Sequence, residues 1–244
     1  MDVGKLANCA LFIDLDGTLI DIAPTPDSVT IPVELAGLLN ELTQRLGGAL
    51  AIVTGRPVGD VDRFLAPLTP VAAGVHGAEM RLAPQGEIMD GAAPIDAEIV
   101  QAIRNLVDEH RGVFVETKRA SLAVHYRQAK DLAPVLEAAL ARFLEDGPDH
   151  LVLSRGRLVF EIVPRHISKG AALETLMGLP EFAGRRPIMI GDDSPDVPAF
   201  EAAVRLGGRG LKVAGEHFSR AEADFASPAD VRAWLKAVAE ALAP

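Results

Sequence analysis

The apolar run Cys9-Ala10-Leu11-Phe12-Ile13, leading straight into Asp14-Leu15-Asp16-Gly17-Thr18-Leu19, decides the fold. Five apolar residues that end in turn formers predict a buried strand. Two carboxylates one residue apart stand at its carboxyl end. Buried charge is costly unless a cation or a substrate uses it, and ligands of open α/β sheets bind beyond the carboxyl ends of the strands. Asp14 and Asp16 are therefore the first candidates for chemistry. The pattern suits one aspartate that attacks phosphorus beside a second that moves protons.

Outward from this strand, Leu35, Leu38, Leu39, Leu42 and Leu46 recur at helical spacing, and Gly47-Gly48 closes that helix. Residues 49–53 read as a second buried strand, ending at Thr54-Gly55-Arg56-Pro57. A short helix at 58–65 leads to a third strand at 71–75, followed by His76-Gly77-Ala78-Glu79. Strands alternating with helices predict an α/β core with a doubly wound, Rossmann-like parallel sheet. The pattern changes between about Arg81 and Pro164. Helical spacing over 95–110 and 131–144 is interleaved with short alternating strands at 112–118, 121–127, 150–154 and 157–163. Arg155-Gly156 is the expected turn of a final hairpin. After Ser168-Lys169-Gly170 the α/β alternation returns, with a helix at 171–177 and a strand at 187–190. The last helix opens on Ser227-Pro228-Ala229-Asp230, a capping serine with proline in the first turn. The expected organisation is a discontinuous core, 1–80 and 165–244, interrupted by an α+β cap at 81–164.

Composition narrows the function. Apolar residues at 49% predict a well-buried fold rather than disorder. Aromatics at 5% and a net charge of −10 exclude a nucleic-acid binder of the stacking or basic-surface kind. One cysteine, Cys9, permits no internal disulfide. No apolar stretch reaches membrane length and no basic, then apolar leader is read at the amino terminus, so a soluble cytoplasmic protein is expected.

A second acidic cluster, Gly191-Asp192-Asp193-Ser194-Pro195-Asp196, follows the strand at 187–190. Mg²⁺ takes a few carboxylate oxygens together with waters and phosphate oxygens. Asp14, Asp192 and the backbone carbonyl of Asp16 can supply that set, with Asp193 and Asp196 orienting it from behind. Thr54, Gly55 and Lys169 complete a phosphate site: a hydroxyl and exposed amides for phosphoryl oxygens, and a cation to offset their charge.

The segments DLDGTL, IVTGR, SKG and GDDSPD resemble the four motifs of the haloacid dehalogenase-like phosphatase superfamily. That resemblance implies Asp14 as a nucleophile that forms an aspartyl phosphate. Asp16 would protonate the leaving oxygen and then activate water. Thr54 and Lys169 would bind phosphate, and Asp14 and Asp192 would hold Mg²⁺.

In the cap segment, strand alternation places Glu116 and Lys118 on one face, with Ser121, His125 and Arg127 on the next strand and Glu161 on another. This hydrogen-bonding set suits sugar hydroxyls. Gly74–Glu79, Val115–Lys118, Ser121…His125-Tyr126-Arg127 and Glu161–Pro164 are similar to the linker and cap patterns of trehalose-6-phosphate phosphatases. The resemblance implies that Glu116, Lys118 and Glu161 hold the sugar of a trehalose 6-phosphate substrate, and it implies a functional pairing with a trehalose-phosphate synthase. One departure is Pro195-Asp196-Val197, where the family often has Thr-Asp-Glu. Alternatives are a phosphatase of another sugar phosphate, such as a sucrose or glycosylglycerate phosphate, a phosphomannomutase-like transferase, and a silent module that binds a sugar phosphate for a partner enzyme.

Overall fold

A computed structural model describes residues 3–23, 25, 28–118, 120–156 and 158–243. In chain order the first elements are β1 (Cys9–Ile13), α1 (Leu35–Arg45), β2 (Leu50–Val53), α2 (Val58–Leu65), β3 (Val71–Gly74), β4 (Glu79–Arg81) and β5 (Met89–Asp90). Next come α3 (Ala97–Val107), β6 (Phe114–Thr117), β7 (Leu122–His125), α4 (Ala133–Glu145), β8 (Leu151–Gly156) and β9 (Val159–Pro164). The chain ends with α5 (Lys169–Met177), β10 (Arg186–Gly191), α6 (Val197–Arg205), β11 (Arg209–Lys212) and α7 (Pro228–Ala241). Two compact units result: Met1–Met89 with Ser168–Pro244, and Asp90–Ile167.

The first unit is built on a sheet of order β11-β10-β1-β2-β3-β4-β5. β1 lies between two parallel neighbours, with Ile13 opposite both Ile190 of β10 and Ile52 of β2. From β1 the chain winds through β2 and β3 to one side, then returns through β10 and β11 on the other. The gap between β1 and β10 is thus where the winding reverses, the place at which such sheets bind ligands. The strands are buried on both faces, which explains their unbroken apolar runs. Leu35, Leu39 and Leu42 of α1 are buried in the same core, and Phe12 packs on Phe182 with ring centroids 5.3 Å apart. Each such large side chain contributes roughly 1.5–3 kcal/mol on burial.

Four elements of this sheet and its helices were not anticipated: β4, β5, α6 and β11. β4 pairs antiparallel with β3, Ala72 opposite Arg81, so it extends the core sheet, and the chain as far as Met89 belongs to this unit rather than to the inserted one. Its Glu79-Met80-Arg81 sequence carries two buried charges, and those are paired. The Glu79 carboxylate accepts from the Val58 amide at 2.9 Å, and Arg81 binds Asp62 through both guanidinium nitrogens. α6 and β11 also went unread: the buried face of α6 is Ala199, Phe200, Ala202 and Ala203, and in β11 only Leu211 is buried.

The second unit is a four-stranded antiparallel sheet of order β6-β7-β9-β8. Leu122, Val124, Tyr126, Phe160 and Ile162 form one core with Ile103 and Val107 of α3 and Leu136 and Leu140 of α4. The hairpin turn falls past the Arg155-Gly156 expected from sequence. Gly156 still pairs with Val159, and Leu158 takes the left-handed backbone at φ 57°. Arg157, the expected first residue of the last strand, lies outside the described residues. Among the described residues no helix is long and apolar enough to cross a membrane.

Candidate active site

The carboxyl ends of β1, β10 and β2 deliver their residues to one edge of the sheet. Asp14 follows Ile13, and its amide donates to the Ile190 carbonyl at 3.0 Å, which ties the first acidic segment to the second. Asp192 stands just beyond β10. The turn at Gly17 brings Thr18 back so that its hydroxyl donates to Asp192 Oδ1 at 3.2 Å. Only glycine serves there: the backbone is left-handed at φ 76°, and a Cβ would stand 2.1 Å from Asp192 Oδ2.

Lys169 is the electrostatic hinge of the site. It opens α5, whose cap is Ser168 with Oγ accepting from the Ala171 amide. A cation at a helix N-terminus opposes the helix dipole, so something stronger holds it. Its ammonium donates to Asp14 Oδ1 at 2.7 Å and to Asp196 Oδ1 at 2.6 Å. Asp196 is fully buried, and its other oxygen accepts from the Asp192 and Asp193 amides. Asp193 caps the turn Ser194–Asp196, with its carboxylate accepting from the Ser194 amide at 2.7 Å. Asp196 thus ties down the Asp192 and Asp193 amides, and Asp193 that of Ser194. Pro195, one of the departures from the family pattern, sits inside this capped turn, where its missing donor costs nothing.

Carboxylate oxygens of Asp14, Asp192 and Asp196 lie within 4.8 Å of one another. Asp196 has both oxygens committed, so Asp14 and Asp192 keep the spare acceptor capacity. Burial pushes both of these carboxyls up. For Asp14 the Lys169 ammonium pulls against burial, and for Asp192 the Asp196 charge adds to it, raising Asp192 to about 7. Lys169 moves up as well: burial opposes its charge, but Asp14 and Asp196 more than offset it. Lys169 is thus held in its charged form, with both carboxylate partners within hydrogen-bond reach. Buried carboxylates carrying an excess of negative charge, all oxygen and free of His or Cys, fit a hard divalent cation.

Thr54 closes β2 and is buried, its hydroxyl accepting from the Arg56 amide at 3.2 Å. At Gly55 a Cβ would approach the His76 ring to 2.8 Å, so the loop depends on glycine for close packing. Val75 and His76 hold the loop from below: their amides donate to the Arg56 and Thr54 carbonyls, and both residues sit at positive φ, 48° and 57°. A β-branched residue there is strained. Asp16 has a partner that the sequence did not disclose. Arg56 donates to Asp16 Oδ2 at 2.6 Å through Nε and to Oδ1 at 2.7 Å through Nη2. With its carboxylate turned to Arg56, Asp16 stands outside the acidic trio and keeps only its backbone carbonyl for a cation.

On the second unit, the sheet face opposite the helices carries most of the expected polar set. Lys118 Nζ donates to Glu161 Oε1 at 2.6 Å, and His125 Nε2 lies 2.8 Å from Glu116 Oε2. Phe114 stacks on the His125 ring at 4.6 Å. Ser121 is buried, and its Oγ has no hydrogen-bond partner among the described residues. Arg127 departs from the expectation: β7 stops at His125, so alternation no longer assigns the face of Arg127, which lies half-buried in the following turn.

A trehalose-phosphatase family model matches residues 12–231, which takes in all of these positions. The chain belongs to the trehalose-phosphatase family. Among its relatives, a probable trehalose-phosphate phosphatase of Sinorhizobium fredii is 42% identical over 213 residues, 85% of this chain and 78% of that one. The trehalose-6-phosphate phosphatase of Escherichia coli is 35% identical over 237 residues, 97% of this chain and 88% of that one. A solved structure described as a trehalose-6-phosphate phosphatase related protein superposes with a TM-score of 0.71 at 25% identity, covering 95% of this chain and 97% of its own. Trehalose-phosphatase membership makes the chain a phosphatase, as the paired aspartates led us to expect.

Proposed function

We propose that the chain hydrolyses trehalose 6-phosphate to trehalose and phosphate with Mg²⁺, through an aspartyl phosphate on Asp14. The observation that carries this reading is Lys169 bridging Asp14 and Asp196 at the switch point of a trehalose-phosphatase core. In the first half-reaction an Asp14 oxygen forms a bond to phosphorus. The bond from phosphorus to the sugar oxygen breaks, and that oxygen takes its electron pair and a proton from Asp16. In the second, water attacks the phosphorus and gives its proton to Asp16, and the Asp14 carboxylate departs. Lys169 and the Thr54–Gly55 loop hold the phosphoryl oxygens. Bound by Asp14, Asp192 and the Asp16 carbonyl, Mg²⁺ would supply charge neutralisation for the nucleophile and the phosphate dianion. A disaccharide phosphate arises by glycosyl transfer to a sugar phosphate or by phosphorylation of the free disaccharide; this reading takes the first route and so includes a functional pairing with a trehalose-phosphate synthase.

The test is phosphate release from a panel of sugar phosphates without a bisphosphate activator. Trehalose 6-phosphate is expected to be the best substrate; exhaustive chelation should silence the enzyme and Mg²⁺ restore it. A preference for glucose 6-phosphate or a sucrose phosphate would overturn the substrate, and full activity after chelation would overturn the metal.

The same reading assigns selection of the sugar to Glu116, Lys118, Ser121, His125 and Glu161 of the second unit. Losing one hydrogen bond to a charged group costs roughly 1.5–3 kcal/mol, or about ten- to 150-fold in specificity. Lys118→Ala and Glu161→Ala should therefore lower kcat/KM for trehalose 6-phosphate by about that factor and leave a small aryl phosphate nearly unaffected. Each truncation also strips the other of its ion-pair partner, so melting temperatures belong beside the kinetics. Equal losses on both substrates would mean that the pair serves folding alone.

A further inference from the structure

The two aspartates of the first motif are sorted by two different cations. Asp14 is held by Lys169, and among the described residues the Asp16 carboxylate bonds to Arg56 alone. The bidentate grip is a strong, directional one. The guanidinium is itself fixed: Asp60 Oδ2 lies 3.7 Å from Nη1, and the Phe64 ring centroid lies 4.8 Å from Cζ, both residues on α2. Its side chain is only 12% exposed, against 31% for that of Asp16. The arginine is thus the anchored partner and the aspartate the movable one. Both oxygens accept from a guanidinium that never gives up its proton, so the fork fixes the plane of the Asp16 carboxylate while each oxygen keeps a further lone pair.

We infer that Arg56 is a positioning residue that aims the Asp16 carboxylate, gripping it through both oxygens here and keeping hold of one while the other serves the sugar oxygen. The inference rests on the reading of Asp16 as proton carrier. It assigns the arginine of the second motif a role separate from phosphate binding by Thr54 and Gly55. Loss of Arg56 should then impair only what passes through Asp16.

The experiment measures the first half-reaction by rapid quench for trehalose 6-phosphate, whose alkoxide needs a proton, and for 4-nitrophenyl phosphate, whose leaving group does not. Arg56→Ala is expected to slow the former by about 100-fold or more, the scale of general acid catalysis, and the latter by only a few-fold. Arg56→Lys, which keeps the charge but not the fork, should recover part of the loss. Added to Asp16→Asn, Arg56→Ala should cost almost nothing further. Equal losses on both substrates, or full multiplicative losses in the double variant, would overturn the inference. The two readings fail separately: an Asp16→Asn enzyme without leaving-group selectivity removes Asp16 as the acid, whereas a selective Asp16→Asn beside an unselective Arg56→Ala removes only the role of Arg56. If Arg56→Ala melts early, the same comparison runs on Arg56→Lys, and an unselective result there counts equally against it.

Discussion

Asp14→Asn should lower turnover by at least ~10³-fold, the scale seen when a covalent nucleophile is removed. The geometry accounts for so large a loss. Lys169 occupies Oδ1 of Asp14, and among the described residues Oδ2 accepts no hydrogen bond, so one oxygen is fixed and its twin is left to attack. An amide offers a poor nucleophile at that second position and no charge to the first. The fold should survive, because the Asp14 amide still bonds to the Ile190 carbonyl and Lys169 keeps Asp196. Steady-state kinetics, a melting curve and acid-quenched protein labelled from radioactive phosphate check the three parts. Substantial activity in the freshly purified variant, or labelled phosphate still trapped on it, would sink the assignment.

Lys169→Met should cost stability and activity together. The substitution keeps length and apolar stem but removes the positive charge between Asp14 and Asp196. Three buried carboxylates then converge without a cation, and breaking a buried pair from one side costs about 3–5 kcal/mol. Turnover should fall by orders of magnitude, since phosphate meets unrelieved negative charge. A specific signature separates this from ordinary core damage. Mg²⁺ should raise the melting temperature of the variant more than that of the wild type, because the ion can partly replace the lost ammonium. A smaller Mg²⁺ effect in the variant would mean that Lys169 acts as packing.

The place of the candidate core residues in the fold was legible because it is local. Asp14, Thr54, Lys169 and Asp192 each stand at the end of an apolar run or the start of a helix, and that grammar is written in consecutive residues. What stayed hidden depends on distant partners. Nothing around Asp16 announces that its carboxylate will meet Arg56, forty positions on. Glu79 and Arg81 gave no strand signal, because the Val58 amide and Asp62 that satisfy their charges lie elsewhere in the sequence. α6 escaped because alanine carries little hydrophobic contrast, and β11 because an edge strand with Gly210 and two basic ends lacks alternation. On the second unit, alternation found the polar face but ran past the end of the ladder at Arg127.

The place of β1 between β2 and β10 bears on how the chain is made. β2 is synthesised soon after β1 and can cover one of its edges. β10, which covers the other edge through pairing from Cys9 to Ile13, leaves the ribosome only after the whole of Asp90–Ile167. Through that interval the nascent strand Cys9–Ile13 offers an open ladder of amides and carbonyls flanked by apolar side chains, a template for pairing with other chains. The inserted unit, with its own core, is able to fold during this delay. A nascent polypeptide stalled before Arg186 would therefore carry a finished second unit and a sticky half-sheet, which makes the stretch of translation leading up to β10 the step where chaperone demand should peak.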